Sequence, residues 1–174
     1  MPIDEAVRLQ SGTIRVLGPQ DQPELHAHFL RLGPESRRSR FNGVVDDAFI
    51  ARYAASCFEP GVIVLGYVEG GAIHAAAELH APCRTADETA EIAFTVERHW
   101  RRKGIGSALF KALLMPALGA GYERLRVITG GQNDGMRALT RKFGTKLVFR
   151  QGELSGTIDL ADLAGHVTPL APAA

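Results

Sequence analysis

Arg101, Arg102 and Lys103 run directly into Gly104, Ile105 and Gly106, so three cations meet two glycines within six residues. Glycine lets a backbone approach a ligand with no Cβ in the way. If these glycines open a helix, its first N–H groups are unpaired and its dipole favours an anion there. A strand, a cationic glycine loop and a helix start together make a phosphate cradle. The pattern is neither GxxxxGK[ST] nor GxGxxG, which would need a glycine where Leu109 stands. The other reading of the same residues is a tight strand-to-helix turn with solvated arginines. Two carboxylates, Glu91 and Glu78, fall on flanking strand patterns and are the acid–base candidates.

The elements that must position these groups are legible from periodicity. From Glu91 to Val96, Ile92, Phe94 and Val96 share one face while Glu91, Ala93 and Thr95 share the other, as a strand requires. After the loop the period changes, and Ile105, Leu109, Ala112 and Leu113 fall at helical spacing. Pro116 should kink or end that helix, because a proline inside a helix removes a hydrogen bond.

The rest of the chain supplies a sheet and its covers. Thr13–Leu17 reads as a strand, and Asp21 caps a helix carrying Leu25, Phe29 and Leu32. Residues 34–43 read as a polar, basic loop. Asp46 caps a second helix with Phe49, Ile50, Tyr53, Ala54 and Cys57. Residues 62–69 and 72–80 form a hairpin about Gly70-Gly71, since paired glycines tolerate the positive φ of a two-residue turn. Residues 81–88 read as a turn region, residues 124–129 as a strand. A final helix is capped by Asn133 or Asp134 and carries Met136, Leu139 and Phe143. Residues 146–150 and 157–160 are closing strands. The order βααβββαβαββ implies an α/β (α+β) domain with one mixed sheet and helices on its faces.

Composition sets the outer bounds. The chain has 174 residues, 45% of them hydrophobic, with 20 basic and 19 acidic side chains. That is enough for one core, so residues 1–174 read as a single domain, its core at about 13–160. Residues 1–12 read as a lead-in, and the tail at 161–174, with Pro169 and Pro172, as frayed. Balanced charge gives no basic field for nucleic acid. The N-terminus does not resemble a signal peptide, and no apolar run approaches ~20 residues. Cys57 and Cys83 read as free thiols in a reducing compartment, so the expected location is cytoplasmic, with no membrane partner.

Val96, four residues, then Arg101-x-x-Gly104-x-Gly106 at a helix start resembles the acetyl-CoA-binding motif of the GNAT superfamily of N-acetyltransferases. The element order from about Thr13 to Leu160 is similar to that family's as well. The resemblance implies a mostly antiparallel sheet that splays at its centre, with acetyl-CoA as co-substrate in the gap. It implies that Phe94, Thr95 and Val96 offer backbone groups to the pantetheine arm. Arg101, Arg102, Lys103, Gly104, Ile105 and Gly106 would meet the pyrophosphate, with Ser107 close behind, and Asn133 would contact the cofactor. An extended arm with amides bonds to a strand edge much as a peptide does.

Ala90–Val96 (AEIAFTV) looks like the central strand of bacterial protein-lysine acetyltransferases, whose Glu at the place of Glu91 is the proposed base. Partial burial would raise the pKa of Glu91 and suit it to that work. Glu78 is the second candidate. Many family members carry a Tyr on the last helix that protonates the thiolate. Thr140 stands there in this chain and is too weak an acid to replace it, although it could hydrogen-bond the sulfur. Ser39, Arg40 and Phe41 match a stretch that overhangs the acceptor in those relatives, so Arg37, Arg38 and Arg40 are candidates to hold an acidic group. The implied acceptor is a primary amine, a protein lysine or a small molecule, with a homodimer left open. A sensor or subunit that binds acyl-CoA without turnover is the non-enzymatic alternative.

His74, Glu78 and His80 do not make a metal site, because strand spacing sets the end residues ~20 Å apart. His26 and His28 are expected on a helix surface, and Trp100 under the glycine loop.

Overall fold

The computed structural model describes residues 12–82 and 88–167. Cys83, the core of the 81–88 turn, the lead-in before residue 12 and Pro169 and Pro172 of the tail lie outside the described residues. Seven strands form one sheet in the order β1-β2-β3-β4-β5-β7-β6. They are β1 (Thr13–Val16), β2 (Val62–Glu69), β3 (Ala72–His80), β4 (Thr89–Val96), β5 (Arg124–Gly130), β6 (Val148–Arg150) and β7 (Glu153–Asp159). All neighbours are antiparallel except β4 and β5. The Gly70-Gly71 hairpin closes as expected, with φ of 61° and 80°.

Five α-helices cover the sheet: α1 (Gln22–Arg31), α2 (Pro34–Phe41), α3 (Asp47–Ser56), α4 (Ile105–Gly119) and α5 (Asp134–Lys142). The period-2 alternation divides the buried side chains between two cores. One face, with Leu65, Tyr67, Ala77, Ala90, Ile92, Leu125 and Val127, packs on Leu109, Phe110 and Leu113 of α4 and Met136 of α5. The other, with Val64, Ile73 and Ala76, packs on Leu25 and Phe29 of α1 and Ile50 and Ala54 of α3. At about 25 cal/mol per Å², each fully buried Leu or Phe contributes roughly 1.5–3 kcal/mol.

Three local expectations are corrected. Residues 34–41 are helical: Pro34 sits in the first turn, where its missing N–H costs nothing, and Asn42 ends the helix at φ 51°. α4 runs through Pro116 to Gly119, because its apolar side, with Leu113, Leu114 and Ala117 buried, outweighs one lost hydrogen bond. Asp21 stands at the N-cap position of α1, but its side chain makes no capping bond to the helix. Its carboxylate takes a bidentate pair from Arg15, at 2.7 and 2.8 Å, and the Gly18 N–H.

Candidate active site

β4 pairs with β5 only over Thr89–Ile92 against Arg124–Val127. Its next residues stay paired to β3, with Phe94, Thr95 and Val96 opposite Ala77, Ala76 and Ala75. One edge of β4 is therefore open at Ala93–Val96, where the sheet splays. An open strand edge presents backbone groups at a fixed spacing, as a chain carrying amides needs. Phe94 and Val96 are half-buried against the α4 core.

Immediately beyond this edge the cationic loop enters α4. Arg102 and Gly104 both lie in the left-handed region, at φ 58° and 80°. The first helical bond is Ala108 N–H to the Gly104 carbonyl, at 3.0 Å. That leaves the Ile105, Gly106 and Ser107 N–H groups at the helix mouth, and no side chain caps it. A Cβ built on Gly106 would meet nothing within 4 Å, so the first turn faces open space. Such a mouth fits a pyrophosphate. Ile105 itself is buried and anchors the helix.

Arg101 is turned away from this mouth. Its Nε donates to the Val96 carbonyl at 3.0 Å and its Nη2 to Ser36 Oγ at 2.7 Å, tying the loop to β4 and α2. Lys103 Nζ lies 4.7 Å from the Trp100 ring centroid, and Trp100 stacks on His74 at 4.3 Å. A ring stack and a cation over its face hold the loop from beneath. Arg102 is exposed.

A second, buried polar group fixes the end of β4. Glu97 Oε1 accepts from Arg31 Nε at 2.9 Å and His28 Nδ1 at 3.0 Å, and Oε2 from His74 Nδ1 at 3.2 Å. Burial pushes the Glu97 carboxyl up, but these hydrogen bonds outweigh it and hold it at about 2. His28 is wholly buried, and burial pulls its pKa down, so its ring is neutral at pH 7. Nδ1 then carries the proton toward the carboxylate, and Nε2 accepts from the Thr95 hydroxyl at 2.8 Å. The expectation of a surface His28 is corrected. The signal was in the sequence: His28 is three residues from Leu25 and four from Leu32, on the buried stripe of α1. Glu97→Gln should cost about 2 kcal/mol of stability at neutral pH, the scale of a hydrogen bond to a charged group. Because the folded pKa is depressed, that deficit should be present above about pH 4.5 and fade as the pH falls toward 2, as denaturant titrations at pH 7 and pH 3 would read.

The two carboxylate candidates lie in opposite environments. Glu91 is exposed, so the partial burial expected for it is corrected. It lies on the same sheet face as Ala76 and Glu78, opposite His80 on β3 and beside Arg126 on β5. Glu78 is completely buried. Its Oε2 receives Arg40 Nη2 at 2.7 Å, the Tyr53 hydroxyl at 2.5 Å and His80 Nε2 at 2.9 Å. Burial pushes Glu78 up, but the Arg40 guanidinium and the His80 and Tyr53 hydrogen bonds outweigh it and hold the carboxyl at about 2. A carboxylate so stabilised as the anion is a poor proton acceptor. Arg40 also donates to Tyr53 and lies over the Phe41 and Tyr53 rings. Arg37 is spent on the Leu30 and Leu32 carbonyls at the end of α1. Two of the three arginines expected to face an acidic group are thus committed within the fold, and only Arg38 is exposed.

Asn133 caps α5, accepting from the Met136 N–H at 3.0 Å, and donates to Thr129 Oγ1 at 3.0 Å. Thr140 is 2% exposed and its hydroxyl lies 3.0 Å from the Met136 carbonyl. The same hydroxyl lies 3.2 Å from the Arg137 carbonyl, so it bonds back along its own helix. Among the described residues no cluster of His, Cys, Asp and Glu suits a metal, and no helix is long and apolar enough to cross a membrane.

With this geometry in view, comparisons with known proteins are informative. Residues 35–145 match the acetyltransferase (GNAT) family. The GNAT domain of S. lividans PAT superposes with a TM-score of 0.73 at 19% identity, over 85% of this chain and 90% of that one. A GNAT superfamily phosphinothricin acetyltransferase from Sinorhizobium meliloti, solved with AcCoA, gives 0.67 at 21%, over 94% and 95%. The paia N-acetyltransferase from Thermoplasma acidophilum, solved with coenzyme A, gives 0.64 at 16%, over 86% and 99%. At these identities the likeness establishes the fold. No curated protein matches the chain.

Proposed function

Because the chain belongs to the GNAT acetyltransferase family, we propose that it carries an acetyl group from acetyl-CoA to a primary amine. The observation that carries this reading is the splayed β4 edge opening directly onto the uncapped mouth of α4. The Ala93–Val96 edge takes the amides of the pantetheine arm. The Gly104–Ser107 N–H groups take the pyrophosphate, and Arg102 and Lys103 add positive charge beside it. Arg101 acts by holding the loop against Val96. Asn133 fixes the start of α5 on the far wall.

Glu91 serves as the carboxylate that meets the acceptor's ammonium and takes its first proton, directly or through a water. Its exposure and its place on β4 beside the splay support this. A backbone N–H near Val96 holds the thioester carbonyl as negative charge develops. With the Thr140 hydroxyl turned inward, the departing thiolate takes its proton from solvent. The acceptor is a protein lysine on the likeness of the central strand to protein-lysine acetyltransferases, with a small amine as the alternative, and the setting is the cytoplasm.

Isothermal titration with acetyl-CoA tests the reading. Saturable binding is expected, and its absence in the folded protein would refute it. Glu91→Gln should leave that affinity within about twofold and lower kcat about 100-fold, the usual scale of a positioned base. An unchanged kcat would remove Glu91 from the chemistry.

A further inference from the structure

We propose that His80, held by the buried carboxylate of Glu78, is a second proton acceptor in acetyl transfer, paired with Glu91 across the β3–β4 ladder. The proposal rests on the acetyltransferase reading above.

The stoichiometry of the reaction raises the need. A primary ammonium carries three N–H protons and the amide product keeps one, so two must leave nitrogen. The first leaves before the amine can attack. The second leaves as the C–N bond is made and the C–S bond breaks, its electron pair departing on sulfur. One carboxylate cannot hold both protons without discharging between the steps.

The sheet offers a second base beside the first. His80 and Glu91 are direct partners in the β3–β4 register, so they share a face and stand side by side. The environment of His80 decides which nitrogen is free. Glu78 is ionised, and an ionised carboxylate only accepts hydrogen bonds. His80 Nε2, 2.9 Å from Glu78 Oε2, must therefore carry the ring proton. In the neutral ring Nδ1 keeps its lone pair. The Glu78 carboxylate thereby fixes the tautomer and the orientation of the ring. Glu78 is wholly buried while the His80 side chain is 28% exposed, so the pair runs from interior to surface.

The neighbours make this arrangement rigid. Tyr53 of α3, 3.5 Å from His80 Nε2, and Arg40 of α2 both bind Glu78 Oε2, and the thiol of Cys57, just past the end of α3, lies 3.9 Å from the same oxygen. Burial pushes the Cys57 thiol and the Tyr53 phenol up, beyond physiological titration. Arg40 stays charged and Glu78 stays ionised. Val62 of β2, opposite His80 on its other side, is apolar. Among the described residues around Glu78, His80 alone reaches the surface next to Glu91 with a nitrogen to spare. The second proton passes from the acceptor nitrogen to Nδ1 and on to solvent, while the thiolate draws its own from solvent.

The test is the pH profile of thiol release from acetyl-CoA, with N-α-acetyl-lysine as the probe amine and with no amine, where water attacks and must lose a proton in the same way. Acetyl-CoA affinity is measured alongside. His80→Gln should keep that affinity, lose about tenfold or more in kcat/KM at neutral pH, and lose an ionisation that the wild type shows on its acidic limb. Long-range ¹⁵N spectra should show the wild-type ring with its proton on Nε2. An unchanged rate and profile in His80→Gln would overturn the proposal, as would a ring protonated on Nδ1 alone. Binding with no thiol release under either condition would refute the enzymatic reading along with it, and no binding by the folded protein would refute the reading of the cleft itself.

Discussion

Gly106→Leu should weaken acetyl-CoA binding at least about 1000-fold and leave the protein no less stable, an effect of opposite sign on function and fold. Gly106 lies in the first turn of α4, and a Cβ there meets no protein atom within 4 Å. A leucine therefore strains nothing and removes the conformational entropy that glycine loses on folding, a gain of up to about 0.8 kcal/mol in a helix. The same leucine fills the space through which a pyrophosphate must approach the Gly106 and Ser107 N–H groups. Losing those charge-assisted bonds and adding a clash costs roughly 4 kcal/mol, which is about 1000-fold in affinity. Gly104 is a poorer site for the experiment, because its φ of 80° would strain any side chain and mix folding with binding. Titration calorimetry and thermal denaturation on the same sample check both halves. Unaltered affinity in a folded Gly106→Leu would mean that the ligand does not lie on this turn.

Arg40→Leu should be the most damaging change to stability, at about 3–5 kcal/mol, because it strands the fully buried Glu78 without its cation. For a chain of this size that lowers Tm by about 10 °C. The pH dependence has a definite sign. Glu78 titrates near 2 in the fold against an ordinary value of 4.5, so the cluster contributes stability above about pH 4.5 and loses it as the pH falls toward 2. Without Arg40 burial dominates and the carboxyl rises, so Glu78 is readily neutralised in acid. The deficit of Arg40→Leu should therefore be large at pH 7 and markedly smaller near pH 3. Urea titrations at the two pH values measure it. A deficit under about 1 kcal/mol at pH 7, or one independent of pH, would mean that Glu78 finds another partner. Arg40→Lys should recover only part of the loss, since an ammonium cannot reproduce the bond to Glu78, the contact with Tyr53 and the stacking on Phe41 together.

Both effects arise at residues whose types were visible at the outset, but their partners were not. Features that depend on neighbours along the chain were legible in the residues alone. The hairpin at Gly70-Gly71, the strand at Glu91–Val96, the glycine-rich entry to α4 and the caps at Asp46 and Asn133 all follow from local periodicity and turn chemistry, and the structure repeats them. That was enough for the order of the main strands and helices and for the glycine loop that enters α4. The 34–41 segment was misread because its polarity resembles a loop, while the Phe41 ring that docks it on Phe29, Phe49 and Tyr53 meets partners distant in the chain. The electrostatics came from packing between elements distant in the chain. Glu78 and Glu91 are alike in any strand pattern. One is buried because α2 and α3 bring Arg40 and Tyr53 over β3, and the other, one strand along the same face, is left exposed. Likewise Glu97 became a hub only when α1 delivered His28 and Arg31 and β3 delivered His74. Burial and ionisation depend on what packs against a group through space, and that is set by the sheet order, not by spacing along the chain.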